Sequence, residues 1–209
     1  GFKSRVKHLL YNHGIMIPDC FSRPGTHWSR SFMKWLREDV ILLSSTRTSL
    51  DMLLDTVELL RKNLLSVTRQ IRFLSRSERY ANDFENLMSI PGIGLLVGMC
   101  LLTEIDDVRR FRNEKQFASY LGLAPISHSS GEKICNGEKT FRGNKLLGLM
   151  LVESAWVTIQ HDSIMAAAYG EYCKRMKGQK AIIRIARKLA NRIFHVMKNG
   201  QKYEYDKCR

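Results

Sequence analysis

The residues best suited to chemistry lie in a polar stretch, residues 126–143, between two apolar segments. Ser129 and Ser130 stand directly before a glycine, and a serine on a flexible connector can present its hydroxyl group to a substrate. Arg142 and Lys145 follow at the end of the stretch, and their cations can hold a phosphate group. The pattern predicts either a nucleophilic serine beside a bound phosphate or an ordinary surface turn, since Ser, Gly and Asn are common turn residues.

The C-terminal part of the chain concentrates positive charge. The whole chain has 34 Lys and Arg against 20 acids, a net charge of +14, and residues 170–209 hold twelve of the bases but three of the acids. Such an excess is typical of a surface that binds the phosphate backbone of nucleic acid. Ile182, Ile185 and Leu189 recur at helical spacing, and the bases, Arg192 among them, lie on other faces. This pattern indicates a helix packed on a core rather than one lying on a membrane. We therefore expect Arg184, Arg187 and Lys188 to bind DNA.

Length and composition limit the class of protein. With 209 residues, 44% of them hydrophobic and 26% charged, the chain is long enough to bury a core and too apolar to be disordered. No apolar run is long enough to cross a bilayer. The five cysteines are scattered without a Cys-x-x-Cys pair, which fits reduced thiols better than disulfides or a zinc site. We expect a cytoplasmic protein without a membrane partner, and Gly1 in place of an initiator Met indicates a piece of a longer protein.

A long run of regularly spaced apolar residues lies before the polar stretch. Eight positions alternate steps of three and four: Leu50, Leu53, Val57, Leu60, Leu64, Val67, Ile71 and Leu74. This is the heptad pattern of a coiled coil, and without Gly or Pro it predicts one helix over residues 45–76. The pattern fits a partner helix in another subunit as well as one in the same chain, and we call these eight positions the heptad seam.

The sequence Ser-Ile-Pro-Gly-Ile-Gly at residues 89–94 leads directly into an apolar helical segment. Two helices joined by a Pro-Gly-x-Gly turn form a helix-hairpin-helix, a motif that grips the DNA backbone without reading its sequence. We expect Pro91, Gly92, Ile93 and Gly94 to bring backbone N–H groups close to a phosphate. The alternative is a plain tight turn between two packed helices.

The acidic residues do not suggest a metal site within this chain. Glu104, Asp106 and Asp107 cluster, but they lie where one helix is predicted to end and the next to begin. Carboxylates at such a boundary suit helix capping.

Several of these blocks together resemble a known family. The blocks are residues 89–94, 103–111, 117–125, 129–131, 142–145 and 186–190. In this order, within residues 87–205, they resemble the C-terminal domain of insertion-sequence transposases related to the Piv DNA invertases. These are DEDD-type enzymes, also described as bridge-RNA-guided serine recombinases.

The resemblance implies a mechanism. The serine of this family attacks DNA and forms a covalent phosphoserine link, and the matching residue here is Ser130, with Ser129 beside it. An upstream RuvC-like domain supplies four acidic residues that hold Mg²⁺, and of that domain we expect only the last helix here, within residues 1–14. A structured guide RNA and assembly into a dimer or tetramer are also implied. Without the upstream carboxylates, we expect this chain alone to be inactive.

The sequence thus predicts a mainly α fold, with a long coiled-coil segment followed by a compact helical domain that contains a helix-hairpin-helix. We expect the end of a RuvC-like domain and a linker in residues 1–30, the coiled coil in 31–84 and the transposase domain in 85–209. The predicted function is DNA transposition, with Ser130 as nucleophile and Arg142, Asn144 and Lys145 near the scissile phosphate. A non-catalytic module for nucleic-acid binding and oligomerisation is the alternative.

Overall fold

The computed structural model describes residues 1–130, 133–139 and 143–204, and of residues 125–130 and 133–139 only the backbone. Over these residues the chain is mainly helical, as the sequence predicts. The α-helices are α1 (Phe2–Asn12), α2 (Arg30–Glu38), α3 (Ser44–Leu74), α4 (Ala81–Met88), α5 (Leu95–Ile105), α6 (Glu114–Tyr120), α7 (Lys145–His161), α8 (Ser163–Cys173) and α9 (Gly178–Asn199). The strands are β1 (Pro125–Ser130) and β2 (Lys133–Lys139), and 3-10 turns occur at Asp19–Phe21, Pro24–Thr26 and Val108–Arg110.

Two compact units divide the chain, Gly1–Arg69 and Gln70–Arg209, which we call unit 1 and unit 2. The division falls within α3. The domain limits predicted from the sequence, at residues 30 and 84, stay predictions. None of the helices in the described part of the chain is long and apolar enough to span a bilayer.

Unit 1 is built around a cluster of aromatic rings. Phe32 of α2 is completely buried, and the ring of Phe21 meets it edge-on at 5.1 Å between centroids. Trp28 and Trp35 each lie 5.5 Å from the same ring, and aliphatic residues of α1 and α3 complete the core. Aromatic pairs in such tilted or edge-on arrangements stabilise a core beyond their buried area.

Helix α2 spans nine residues. Its start is fixed by Ser29, whose hydroxyl accepts a hydrogen bond from the backbone N–H of Phe32 at 3.2 Å. Beyond its end, the guanidinium group of Arg47 donates to the carbonyls of Leu36 and Val40, both at 3.1 Å. Because the arginine satisfies these carbonyls, the chain can leave the helix without unpaired acceptors.

Helix α3 has the length expected from the heptad seam, 31 residues against the predicted 45–76. Leu50 and Val57 are buried, whereas Leu60, Leu64 and Val67 are 48%, 67% and 50% exposed. The first part of the seam therefore packs within the chain and the later part does not. The coiled coil itself stays a prediction.

Unit 2 is organised around α9. The apolar side of this helix is buried and packs against α4, α6, α7 and α8. Ile182, Ile185 and Leu189 lie in the core, as their spacing predicts, together with Ala186 and Ala190. The alanines leave room for the neighbouring helices to come close.

The polar stretch after α6 contains a β-hairpin where the sequence predicted a loop. Strands β1 and β2 pair antiparallel, with Ser129 opposite Ile134 and Ser130 opposite Lys133. The register is irregular next to Pro125, which has no N–H to donate to the ladder. The hairpin was missed because Ser, Gly, Asn and Lys dominate its sequence, and these residues are more common in turns than in strands.

Candidate nucleic-acid interface

The turn between α4 and α5 is held against α7. Gly92 has a φ of +88°, and a Cβ atom built on it would lie 2.5 Å from both the Ser154 carbonyl oxygen and the Thr158 Oγ1 atom. The Thr158 hydroxyl donates to the Pro91 carbonyl at 2.8 Å. Gly92 thus allows a close approach to α7. The predicted contact of this turn with a phosphate stays a prediction.

The other glycine of the turn faces open space. Gly94 is exposed, a Cβ atom there would meet nothing within 4 Å, and the residue caps α5 without a side-chain hydrogen bond. The first backbone hydrogen bond of the helix runs from the Gly98 N–H to the Gly94 carbonyl at 2.8 Å. The N–H groups of residues 95–97 therefore have no acceptor within the helix itself. Backbone N–H groups and the positive end of the helix dipole favour a phosphate at such a position. Ile93, by contrast, is buried.

The basic side of α9 carries the three cations that the sequence singled out. Arg184 and Lys188 are exposed and Arg187 is half-buried. Within the described residues none of them forms an ion pair with an acid. Since their charges are not neutralised by neighbours there, they can attract a polyanion.

An aromatic ring supports part of this basic side. The Arg184 guanidinium lies 5.5 Å and the Lys188 amine 5.9 Å from the centroid of the Tyr172 ring of α8. Both distances are within the range of a cation–π contact. The contact restrains the two side chains, so less conformational entropy is lost when they bind a phosphate.

The start of α7 is fixed in place by its neighbours. The Asn144 side chain accepts a hydrogen bond from the Leu147 N–H at 3.1 Å and donates to the Glu104 carboxylate at 3.0 Å. A Cβ atom on Gly143 would lie 2.3 Å from the Gly122 nitrogen, so only glycine fits there. Asn144 therefore caps α7, a role the sequence analysis did not assign to it, while Lys145 occupies the first position of the helix.

The predicted nucleophile lies at the tip of the hairpin. Ser130 is the last residue of β1, and Ser129 precedes it in the same strand. Arg142 lies outside the described residues, so its predicted place beside the serine stays a prediction.

The acidic cluster has structural partners. Asp107 accepts a hydrogen bond from the Arg109 N–H at 2.8 Å and so caps a 3-10 turn, as the sequence indicated for this boundary. Asp106 pairs with Arg79 at 2.7 Å, and the Glu104 side chain accepts from Asn144. Within the part of the chain that the structure describes, no group of three or more His, Cys, Asp or Glu could hold a metal ion.

Sequence reasoning misplaced Arg192, which it grouped with the cations outside the core. Its side chain is 10% exposed and pairs with the fully buried carboxylate of Asp162, which the Tyr203 hydroxyl also contacts at 3.2 Å. Burial alone would raise the pKa of Asp162, but hydrogen bonds from the Met165 N–H, Arg192 and Tyr203 outweigh it and hold the pKa below its ordinary value. A single acid between helical segments gave no signal of this pairing.

The central part of the chain is similar to known proteins. Residues 84–170 match the family described as Transposase IS116/IS110/IS902 family. The matched range contains the α4–α5 turn, the hairpin with Ser130, and α7.

Individual relatives agree with this assignment. A transposase for insertion sequence element IS1111A from Coxiella burnetii is 27% identical over 110 residues, 53% of this chain and 30% of that protein. A 43.6 kDa protein of insertion element IS110 from Streptomyces coelicolor is 33% identical over 120 residues, 56% of this chain and 29% of that protein. The pilin gene-inverting protein of Moraxella bovis is 35% identical over 124 residues, 56% of this chain and 38% of that protein. The alignments thus cover little more than a third of each relative at most. These matches support the resemblance of residues 84–170 to insertion-sequence transposases.

Proposed function

We propose that this chain is part of a transposase that cuts and rejoins DNA strands, with Ser130 as the nucleophile. The match of residues 84–170 to a transposase family carries the proposal, since that range includes Ser130. The cations of α9, which have no ion-pair partner among the described residues, and the exposed N-terminus of α5 support a DNA backbone as the ligand of unit 2.

The chemical step is a transfer of a phosphodiester bond. The Ser130 oxygen attacks the phosphorus and loses its proton to a base, and a phosphoserine bond forms. The bond to one bridging oxygen of the DNA breaks, and that oxygen takes up a proton and leaves as a hydroxyl group. Since the phosphoserine link replaces the broken bond, a second DNA hydroxyl can reverse the step and rejoin the strand without an external energy source.

The cations and backbone dipoles of unit 2 position the DNA for this step. Gly94 and the first N–H groups of α5 bind one phosphate, and Arg184, Arg187 and Lys188 bind others along the strand. Lys145, at the start of α7, is assigned to the scissile phosphate together with Arg142. Fixing the backbone at several points supplies much of the rate gain in a displacement of this kind, because the reacting atoms are held in place.

Mg²⁺ belongs to the proposal for a complete protein, as the resemblance implies. The described residues of this chain do not fit such a site. The clustered acids Glu104, Asp106 and Asp107 instead interact with Asn144, Arg79 and the N–H of Arg109, respectively. We therefore assign the metal to carboxylates of an upstream domain and derive no step through it here.

A structured guide RNA and a homo-oligomer complete the proposal. Leu60, Leu64 and Val67 are exposed along one side of α3, and such a stripe supports pairing with the same helix of a second copy. The guide RNA rests on the family resemblance, and the cytoplasm is the compartment in which we expect the complex to act.

The experiment that tests the nucleophile is covalent trapping. A complete protein that includes this chain is incubated with Mg²⁺, nicked substrate DNA and its RNA, and DNA adducts are located by peptide mass mapping. We expect Ser130→Ala to lose the adduct while DNA binding persists, and the neighbouring Ser129→Ala to retain it. An adduct that survives in Ser130→Ala overturns the assignment.

A non-catalytic module for nucleic-acid binding and oligomerisation is the second candidate. The exposed part of the heptad seam on α3 and the cations of α9 favour it, because neither feature requires chemistry. In that case Ser130→Ala leaves every activity of the complete protein unchanged, and wild-type protein that is shown to bind DNA gives no adduct.

A further inference from the structure

Helix α3 separates its charges along its length. The acids of its first half are paired with arginines of unit 1: Asp51 with Arg47 at 2.7 Å, and Asp55 and Glu58 with Arg37 at 2.7 and 3.2 Å. Residues 59–77 contain five bases and no acid. The second half of the helix therefore carries a concentrated positive charge that its own sequence does not neutralise.

The bases of this second half are exposed. On the helix they are Arg61, Lys62, Arg69 and Arg72, and Arg76, also exposed, follows just beyond the last helical residue, Leu74. Arg61 has a local role, since its Nη1 atom donates to the Trp28 carbonyl at 2.6 Å. Over the described ranges of the chain, the other four take part in no ion pair.

Three of these bases share one side of the helix. At 3.6 residues per turn, Lys62, Arg69 and Arg72 fall within a sector of about 80°, and they extend over about 15 Å of the helix axis. We call these three residues the α3 basic stripe. Leu60 and Leu64 of the heptad seam fall roughly on the opposite side. A second helix packed on the seam would thus leave the stripe accessible.

We propose that the α3 basic stripe binds the phosphate backbone of duplex DNA, as a surface additional to those assigned on α5 and α9. The inference rests on the proposed function, which brings duplex DNA to this chain. A duplex presents about one phosphate charge per 1.7 Å of its axis, so a stripe of this length faces several phosphates at once. Without groups arranged to read base edges, the stripe binds regardless of sequence and fixes the path of the DNA along α3.

The test measures the salt dependence of binding. The 209-residue chain is titrated into a fluorescein-labelled DNA duplex of about 30 base pairs, from about 50 to 200 mM KCl, and log K is plotted against log salt concentration. The test variant is Lys62→Gln/Arg69→Gln/Arg72→Gln, which keeps good helix formers in place. We expect its slope to be shallower by about 2–3, because each neutralised phosphate contributes about 0.9.

Matched variants control for charge and for folding. Lys34→Gln/Arg79→Gln/Lys174→Gln removes three cations that are each paired with an acid, and we expect an unchanged slope. Arg69→Lys/Arg72→Lys keeps the charge of the stripe and is expected to keep the slope as well. Circular dichroism melting establishes that each variant is folded.

The outcomes separate this inference from the proposed function. The variant Arg184→Gln/Arg187→Gln/Lys188→Gln reports on unit 2. If it flattens the slope while the α3 variant does not, the stripe is excluded and the proposed DNA surface of unit 2 stands. If neither variant changes the slope, both proposals fail. If the α3 variant weakens binding to an RNA duplex of the same length and leaves DNA binding unchanged, the assignment to DNA is overturned.

Discussion

The carboxylate of Asp162 and the guanidinium of Arg192 form an ion pair inside unit 2, 30 residues apart in sequence. Asp162 also accepts a hydrogen bond from the Met165 N–H at 2.9 Å and so caps α8. Arg192 lies on α9, and its guanidinium carbon is 4.9 Å from the centroid of the Tyr203 ring. One carboxylate thus joins the start of α8, the middle of α9 and the segment after α9. This pair fixes the orientation of the helix that carries the cations assigned to DNA.

Replacing Asp162 by Asn should destabilise the chain by about 3–5 kcal/mol, because the Arg192 charge would be left buried without its partner. The free energy of unfolding in urea, followed by circular dichroism, measures the effect. Glu171→Gln is the matched control, since Glu171 pairs with Lys174 at 2.6 Å on the surface and its loss should cost less than about 1 kcal/mol. Equal costs for the two variants would contradict the structural role of the buried pair.

The lowered pKa of Asp162 predicts a dependence of stability on acid pH. The folded protein holds this carboxyl below the value of about 3.9 that Asp has in an unfolded chain. The contribution of the ionised carboxyl to the free energy of unfolding is therefore complete above about pH 4. This contribution is lost as the pH falls through the pKa of the folded protein. The difference in unfolding free energy between wild type and Asp162→Asn should shrink below about pH 4. A difference that stays constant through this range would show that the carboxyl is not held ionised by its partners.

Much of the fold could be predicted because periodicity determines which side of a helix is buried. The spacing of Ile182, Ile185 and Leu189 correctly placed the buried side of α9, and the heptad seam gave the length of α3 to within two residues at either end. Arg192 shows the limit of this reasoning. Its position in the helical repeat does not reveal that a distant acid will neutralise it, since such a pair depends on tertiary packing.

The candidate site could be predicted in part. The cations Arg184 and Lys188 are exposed, as their positions in the repeat indicated. Gly92 has a structural role that its sequence context could not reveal. A glycine needed for close approach has the same sequence signal whether a ligand or a neighbouring helix comes close, and here the neighbour is α7.

Gly92→Ala should destabilise the chain by about 2–4 kcal/mol, because a Cβ atom would collide with α7 and the positive φ disfavours any side chain. Gly94→Ala is the control in the same turn. Its φ of −110° suits alanine and nothing lies within 4 Å, so we expect a loss below about 1 kcal/mol from the weaker helix cap. Thermal unfolding of the two variants in parallel gives the comparison. A cost at Gly92 no larger than at Gly94 would mean that the turn can move away from α7.

The exposed part of the heptad seam predicts the oligomeric state. If α3 pairs with the same helix of a second copy, Leu60→Asp with Leu64→Asp should dissociate the oligomer, because each carboxylate would be desolvated in an apolar contact. Molar mass from light scattering coupled to gel filtration measures this change directly. We expect a fall from a dimer or tetramer to the 24.2 kDa of a single chain.

The control for this prediction lies on the same helix. Leu59 and Leu65 are both 58% exposed but fall outside the seam, so Leu59→Asp with Leu65→Asp adds the same charges to other sides of α3. We expect this control to keep the mass of the wild-type oligomer. If instead the seam variant keeps the wild-type mass, the seam does not join two copies.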